Sequence, residues 1–196
     1  TYTAELFVLA MLSAALEGPL ARSAELAAVP DQMRRAIAEN ADIGRAAGEF
    51  ASAQKFVVIG RGYNYATAFE IALKIKETSY LIAEPYSVAD LLHGPIAMID
   101  RDFPVILVAP SGETLTDVPK LLDLLSERGA RVVAISDRDE VLSRAQAQVR
   151  LPAGVPEWLS PIVTVAPGQL WAGSLALAHG QNPDRPRGLS KVTLTR

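Results

Sequence analysis

From Lys55 onward, short apolar runs alternate with helix-length segments, and that rhythm leaves few folds open. Phe56-Val57-Val58-Ile59 has no polar interruption and stops at Gly60, the signature of a parallel strand buried on both faces. Residues 63–81 follow with helical spacing, and residues 82–86 read as a very short strand. Residues 104–109 (PVILVA) predict a strand, 114–128 a helix closed by Gly129, and 131–136 (RVVAIS) a further strand. A short helix and a weak strand at 148–151 come next, then a long helix over 161–179 ended by Gly180. Strict alternation of this kind predicts an α/β fold. About five strands form a parallel sheet, with helices on both faces and right-handed crossovers.

The first 53 residues have a different character. Three helical segments are expected there: 1–16, a short one near 21–28, and one that starts at Pro30-Asp31 and continues through Met33, Ile37, Ile43, Ala47 and Phe50. They carry no strands and read as the end of something else rather than as a complete domain. Residues 6–16 are the most apolar part, but a membrane span needs about 20 residues. Glu5 and Glu17 flank them, where a leader peptide would show basic residues first, so a buried helix is expected. The net charge of −3 disfavours a nucleic-acid surface and leaves room for a local basic site. With no cysteine, disulfides, thiolate zinc sites and a cysteine nucleophile are excluded, and a cytoplasmic setting is the natural one. Residues 181–196, rich in proline and arginine, read as an irregular tail.

Several groups could carry chemistry. Gly60-Arg61-Gly62 links a strand to a helix, as an anion-binding turn would or as a simple tight turn would. Tyr65 stands where a dinucleotide fingerprint needs its third glycine. Ser111-Gly112-Glu113-Thr114 suits either a phosphate cradle or a helix N-cap, and its carboxylates favour the cap. Glu70, Lys74 and Glu77 fall on one helix face, as an exposed ion-pair ladder or as a polar site. Because that helix starts at the glycine turn, the trio's end is expected near the carboxyl edge of the sheet, where open α/β proteins bind ligands. His93, before Gly94-Pro95, is either a general acid–base group or a structural histidine, while His179 fits the helix dipole. Lys191 matters only if the tail folds back over a site, where a desolvated amine can form a Schiff base.

Taken together, GRGYNYATAFEIALKIKETSYLIAEPYSVADLLHGPIAMID and the tail NPDRPRGLSKVT resemble the sugar isomerase (SIS) family. The likeness is to the second SIS module of the glucosamine-6-phosphate synthase and aminosugar-6-phosphate deaminase group. The order and spacing of E-x-x-x-K-x-x-E, the His-Gly-Pro turn and the tail lysine all agree. The resemblance implies a three-layer α/β/α sandwich acting on a hexose 6-phosphate without cofactor or metal. It divides the chain into linking helices (1–53), an SIS module (54–180) and a tail that folds over the active site (181–196).

The resemblance also implies roles. Glu77 matches the glutamate that moves a proton between C1 and C2, His93 the histidine that helps open the sugar ring, and Lys191 the Schiff-base lysine. Glu70, Lys74 and Ser190 match residues lining the sugar site. In the family that histidine reaches the neighbouring subunit's site, which implies a homodimer. The phosphate loop belongs to the first SIS module, outside this chain, and Ser111 to Thr114 resembles a degenerate echo of it. Tyr63-Asn64 and the ending KVTLTR are closer to the deaminases and isomerases. The expected activity is therefore an aminosugar-6-phosphate deaminase or isomerase. The alternatives are the isomerase domain of a glutamine-dependent aminotransferase and a non-catalytic sugar-phosphate sensor.

Overall fold

A computed structural model describes residues 2–18 and 22–188. Three helices come first: α1 (Tyr2–Glu17), α2 (Ser23–Ala38) and α3 (Ile43–Gly48). The sheet strands are β1 (Lys55–Ile59), β2 (Ile82–Tyr86), β3 (Pro104–Val108), β4 (Arg131–Ser136) and β5 (Ala147–Arg150). Between and after them lie α4 (Asn64–Ser79), α5 (Val88–Leu92), α6 (Val118–Glu127), α7 (Asp139–Leu142) and α8 (Ser160–Ala178). The strands pair in the order β2-β1-β3-β4-β5, all parallel. Pro85 is tolerated because β2 is an edge strand, and Pro104 because it opens β3.

Alternation along each strand divides the core in two. Phe56, Val58, Ile106 and Val133 point to one face, where they meet Ile71 and Ile75 of α4 and Trp171 and Leu175 of α8. Val57, Ile59, Val105 and Leu107 point to the other, against Val88 and Leu91 of α5, Leu121 and Leu125 of α6 and Val141 of α7. The architecture is thus the three-layer α/β/α sandwich expected from the alternation. A third cluster, with Ala10, Val29 and Ala36, seats α1 and α2 on the first turns of α8. Helix α8 is apolar on every side because it is enclosed by α2, α3 and α4. Its composition and length would suit a membrane span, yet 61% of its most apolar stretch is buried within the fold.

Two helix boundaries differ from expectation. Pro30 does not start a helix but lies inside α2, which runs unbroken from Ser23. A proline in a helix interior costs about 3 kcal/mol. Here Pro30 is on the exposed side, while Val29 and Ala36 are buried against α8, and that packing offsets the loss. The helix expected from residue 114 opens as a 3-10 turn, Glu113–Asp117, and becomes α-helical only at Val118. Helix α5 and the 3-10 turn Pro95–Met98, both about one turn long, are new to the structure.

Candidate functional site

The two loops at the carboxyl edge of the sheet are closed by the protein's own groups. At Gly60 a Cβ would lie 2.2 Å from the Asn64 carbonyl oxygen, so glycine is needed for the turn itself. Gly62, at φ +57°, faces Thr114 across the crevice, and Arg61 forms an ion pair with Asp117. Ser111 is no helix cap. Its N–H donates to Asp137 Oδ1 at 2.7 Å and its hydroxyl to Asp137 Oδ2 at 2.6 Å. The Glu113 N–H donates to Glu157 Oε2 at 3.1 Å, and a Cβ at Gly112 would come within 2.3 Å of the Glu157 carboxyl. Carboxylates thus take three of the donors that a phosphate could use in the loop after β3.

The trio Glu70, Lys74 and Glu77 is a built cluster and not an exposed ladder. Glu70 is 7% exposed and accepts a hydrogen bond at 2.9 Å from Gln169 Nε2 on α8. Lys74 Nζ lies 3.9 Å from Glu70 Oε1 and donates to Glu77 Oε2 at 2.5 Å. The Tyr2 hydroxyl is buried beside it without a partner. Burial raises the Tyr2 pKa above its ordinary value, and the charge of Glu70 raises it further. Local spacing could not reveal Gln169 or Tyr2: the Gln169 bond to Glu70 is made only when α8 packs on α4, and Tyr2, whose phenol feels the Glu70 charge, lies far away in the chain at the start of α1.

The cluster is not where the sequence places it. A helix that follows a parallel strand runs back along it, so α4 ends at the amino edge, where Lys55 of β1 pairs with Ile82 of β2. Glu77 is about 20 Å along α4 from its first turn. The trio therefore ends at the edge opposite the glycine turn.

The remaining expected residues divide. His93 caps α5, with its N–H bonded to the Ala89 carbonyl at 3.2 Å, and its side chain is exposed. Helix α5 packs on the opposite face of the sheet from α4, so the chain by itself does not bring His93 to Glu77. Ser190 and Lys191 lie outside the described residues. The segment leading to them does return to the trio's end of α4. The Arg187 N–H donates to the Tyr80 hydroxyl at 2.7 Å, and the Arg187 guanidinium stands 4.4 Å from the Tyr80 ring centroid. Among the described residues no three His, Asp or Glu side chains come together as a metal site.

Known proteins share both sequence and fold with this chain. Its sequence is 37% identical over 200 residues to a glutamine–fructose-6-phosphate aminotransferase (isomerizing) of Thermococcus kodakarensis, covering 97% of this chain and 33% of that protein. A protein of the same name from Zymomonas mobilis is 37% identical over 202 residues, with the same coverage. The chain therefore spans about a third of the length of the curated relatives it matches. The C-terminal domain of the Francisella tularensis glucosamine-fructose-6-phosphate aminotransferase superposes with a TM-score of 0.74 at 29% identity, over 82% of this chain and 46% of that one. A glucosamine-6-phosphate deaminase of Thermotoga maritima shares the fold, with a TM-score of 0.65 at 21% identity, over 97% of this chain and 55% of that one. Residues 49–179 match the SIS domain family, and they hold the whole sheet and both of its helix layers. By a match over more than half its length, the chain belongs to the SIS domain family.

Proposed function

We propose that this chain is the second half of a double-SIS enzyme that isomerises or deaminates an aminosugar 6-phosphate, with glucosamine 6-phosphate and fructose 6-phosphate as its sugars. The observation that carries the reading is the anchored carboxylate pair: Gln169 holds Glu70, Glu70 and Glu77 hold Lys74, and Lys74 engages only one oxygen of Glu77. Aldose–ketose interconversion needs a base that takes a proton from one carbon and returns it to the next. In this reading the C2–H bond of the open-chain sugar breaks and its proton passes to Glu77. The electron pair forms the C1–C2 double bond as the C1 carbonyl's π pair moves to its oxygen, which takes a proton from solvent; when Glu77 returns its proton to C1, the group on C2 loses a proton to solvent and forms the new double bond at C2. His93 of a second copy protonates the ring oxygen during ring opening, and Lys191 supplies an amine for the carbonyl. In this reading the phosphate is held by a first SIS module of the same polypeptide, in keeping with the carboxylate partners that Ser111 and Glu113 have here.

A second reading, the isomerase domain of a glutamine-dependent aminotransferase, is favoured by the 37% identity to proteins of that name. The complete polypeptide, assayed for ammonia release from glucosamine 6-phosphate without glutamine, separates the two. Release supports the deaminase. Glucosamine 6-phosphate formed from fructose 6-phosphate only with glutamine supports the aminotransferase. Glu77→Gln is expected to lower turnover by about 10²–10⁴-fold while sugar binding survives. Unchanged turnover would remove Glu77 from the mechanism.

A further inference from the structure

We propose that the amino edge of the sheet carries a further binding site, a hollow at the starts of β1, β3 and β4 that takes a small phosphate monoester bearing hydroxyl groups. None of Glu70, Lys74 and Glu77 lines it, so it stands apart from the carboxylate cluster and does not depend on the reading above.

The hollow has a volume of about 290 Å³, near the size of a small metabolite. Lys55, Arg101 and Arg131 line it together with Asp100 and Asp102. The chain has 22 acidic residues to 19 basic ones, so a surface cation has carboxylates in supply. Yet among the described residues none of these five groups forms an ion pair. Two of the cations rest on aromatic rings instead. Lys55 Nζ stands 4.6 Å from the Phe103 ring centroid, and the Arg131 guanidinium stands 4.3 Å from that of Phe50. Arg131 Nη2 also donates to the Glu49 carbonyl at 2.9 Å, which fixes the plane of the guanidinium. A ring contact places a cation without consuming its N–H donors. The three donors of the ammonium and most of those of the guanidinium therefore stay available to an anion.

Strand order sets the spacing. Lys55 opens β1 and Arg131 opens β4, two places apart across β3, which puts their Cα atoms about 10 Å apart. The two side chains come to the edge from opposite faces of the sheet, since Phe103 belongs to the α5–α6 layer and Phe50 to the α4–α8 layer. A phosphate that accepts a charge-assisted bond of about 2.8 Å from each side chain spans the gap. Arg101 adds a third positive charge from the loop before β3. Asp100 and Asp102 repel a bare anion, and for that reason they select what else the ligand carries. A carboxylate accepts hydroxyl O–H groups. A phosphorylated polyol satisfies both sets of groups, its phosphate on the cations and its hydroxyls on the aspartates.

Glycerol 3-phosphate is the probe, titrated into the protein at low salt and followed by the shifts of backbone amides. We expect saturable shifts at Lys55, Phe103 and Arg131, with a Kd on the order of 1–10 mM. Lys55→Met and Arg131→Met keep most of each apolar stem and remove the charge, and each is expected to weaken binding by about tenfold. Arg131→Lys is expected to fall between Arg131→Met and the parent, because the fork is lost and the charge kept. Inorganic phosphate should bind several-fold more weakly than the ester, and glycerol should not bind. The absence of saturable shifts at the three amides would overturn the site, as would shifts confined to residues 111–114. Equal affinity in the parent and both methionine variants would overturn the cation pair. Inorganic phosphate binding as tightly as the ester would overturn the part given to Asp100 and Asp102.

Discussion

Gly168 of α8 lies directly against Ile71 of α4: a methyl group at position 168 would sit 2.5 Å from Ile71 Cδ1 and 2.7 Å from Cγ1. The two helices therefore approach as closely as they do only because this position has no side chain. Gly168→Ala is expected to destabilise the fold by about 1–2 kcal/mol net, the strain of overpacking outweighing the helix propensity gained. Adding Ile71→Val, which removes Cδ1, should recover part of the loss. Thermal unfolding of the single and double variants checks both statements, and an unchanged Tm in Gly168→Ala would contradict the first.

Gln169, the next residue, joins the same two helices through a polar contact. Gln169→Leu strips the buried Glu70 carboxyl of its donor, which should cost about 1–3 kcal/mol of stability. Because Glu70 in turn holds Lys74, turnover is expected to fall as well, mainly in kcat. Gln169→Asn, with a shorter reach, should restore little. Denaturant midpoints and steady-state kinetics report the two effects separately.

At the other edge of the sheet, Asp137→Asn should behave differently. The variant weakens the two charge-assisted bonds to Ser111, at a cost of about 1–2 kcal/mol. Turnover below the melting range should be unaltered, since the carboxylate cluster ends at the amino edge. A large loss of kcat in this variant would mean that the carboxyl-edge loop takes part in the reaction.

Tyr2 gives the fold an alkaline limit. Its phenol has a raised pKa in the folded protein, through burial first and the Glu70 charge second. Between the unfolded value near 10 and the raised folded value, the native state binds more protons than the unfolded state. Stability is therefore fully present below that window and falls as pH rises through it. Tyr2→Phe removes the ionisable group and should flatten the alkaline limb of the Tm-versus-pH curve. At pH 7 it should be neutral or slightly stabilising, because the hydroxyl it deletes is buried without a partner.

What could be read from the sequence follows the range of the interactions. Phe56 to Ile59 and residues 131–136 announced their strands because a doubly covered strand is apolar throughout. Even the weak run at residues 82–86 became β2. The Glu70–Lys74–Glu77 face was visible as helical spacing. Its depth was not, because Gln169 and Tyr2 reach it from far along the chain. Ser111 looked like a cap because Asp137, its actual partner, is 26 residues away. Pro30 looked like a helix start because local propensity is silent about the buried neighbours that hold α2 straight through it. The edge at which Glu77 lies was legible in principle: a helix after a parallel strand must run back to the edge at which that strand began.

The position of α8 at the end of the fold order also governs how the molecule is made. One whole face of the sheet is completed by residues 160–178, which leave the ribosome after every strand has already emerged. Until then Phe56, Val58, Ile106 and Val133 have only α4, α3 and Phe50 to cover them, and a nascent chain in that state presents a sticky open platform. Synthesis therefore passes through a risky interval, in which a chaperone or the native helix must reach that platform before a second nascent chain does.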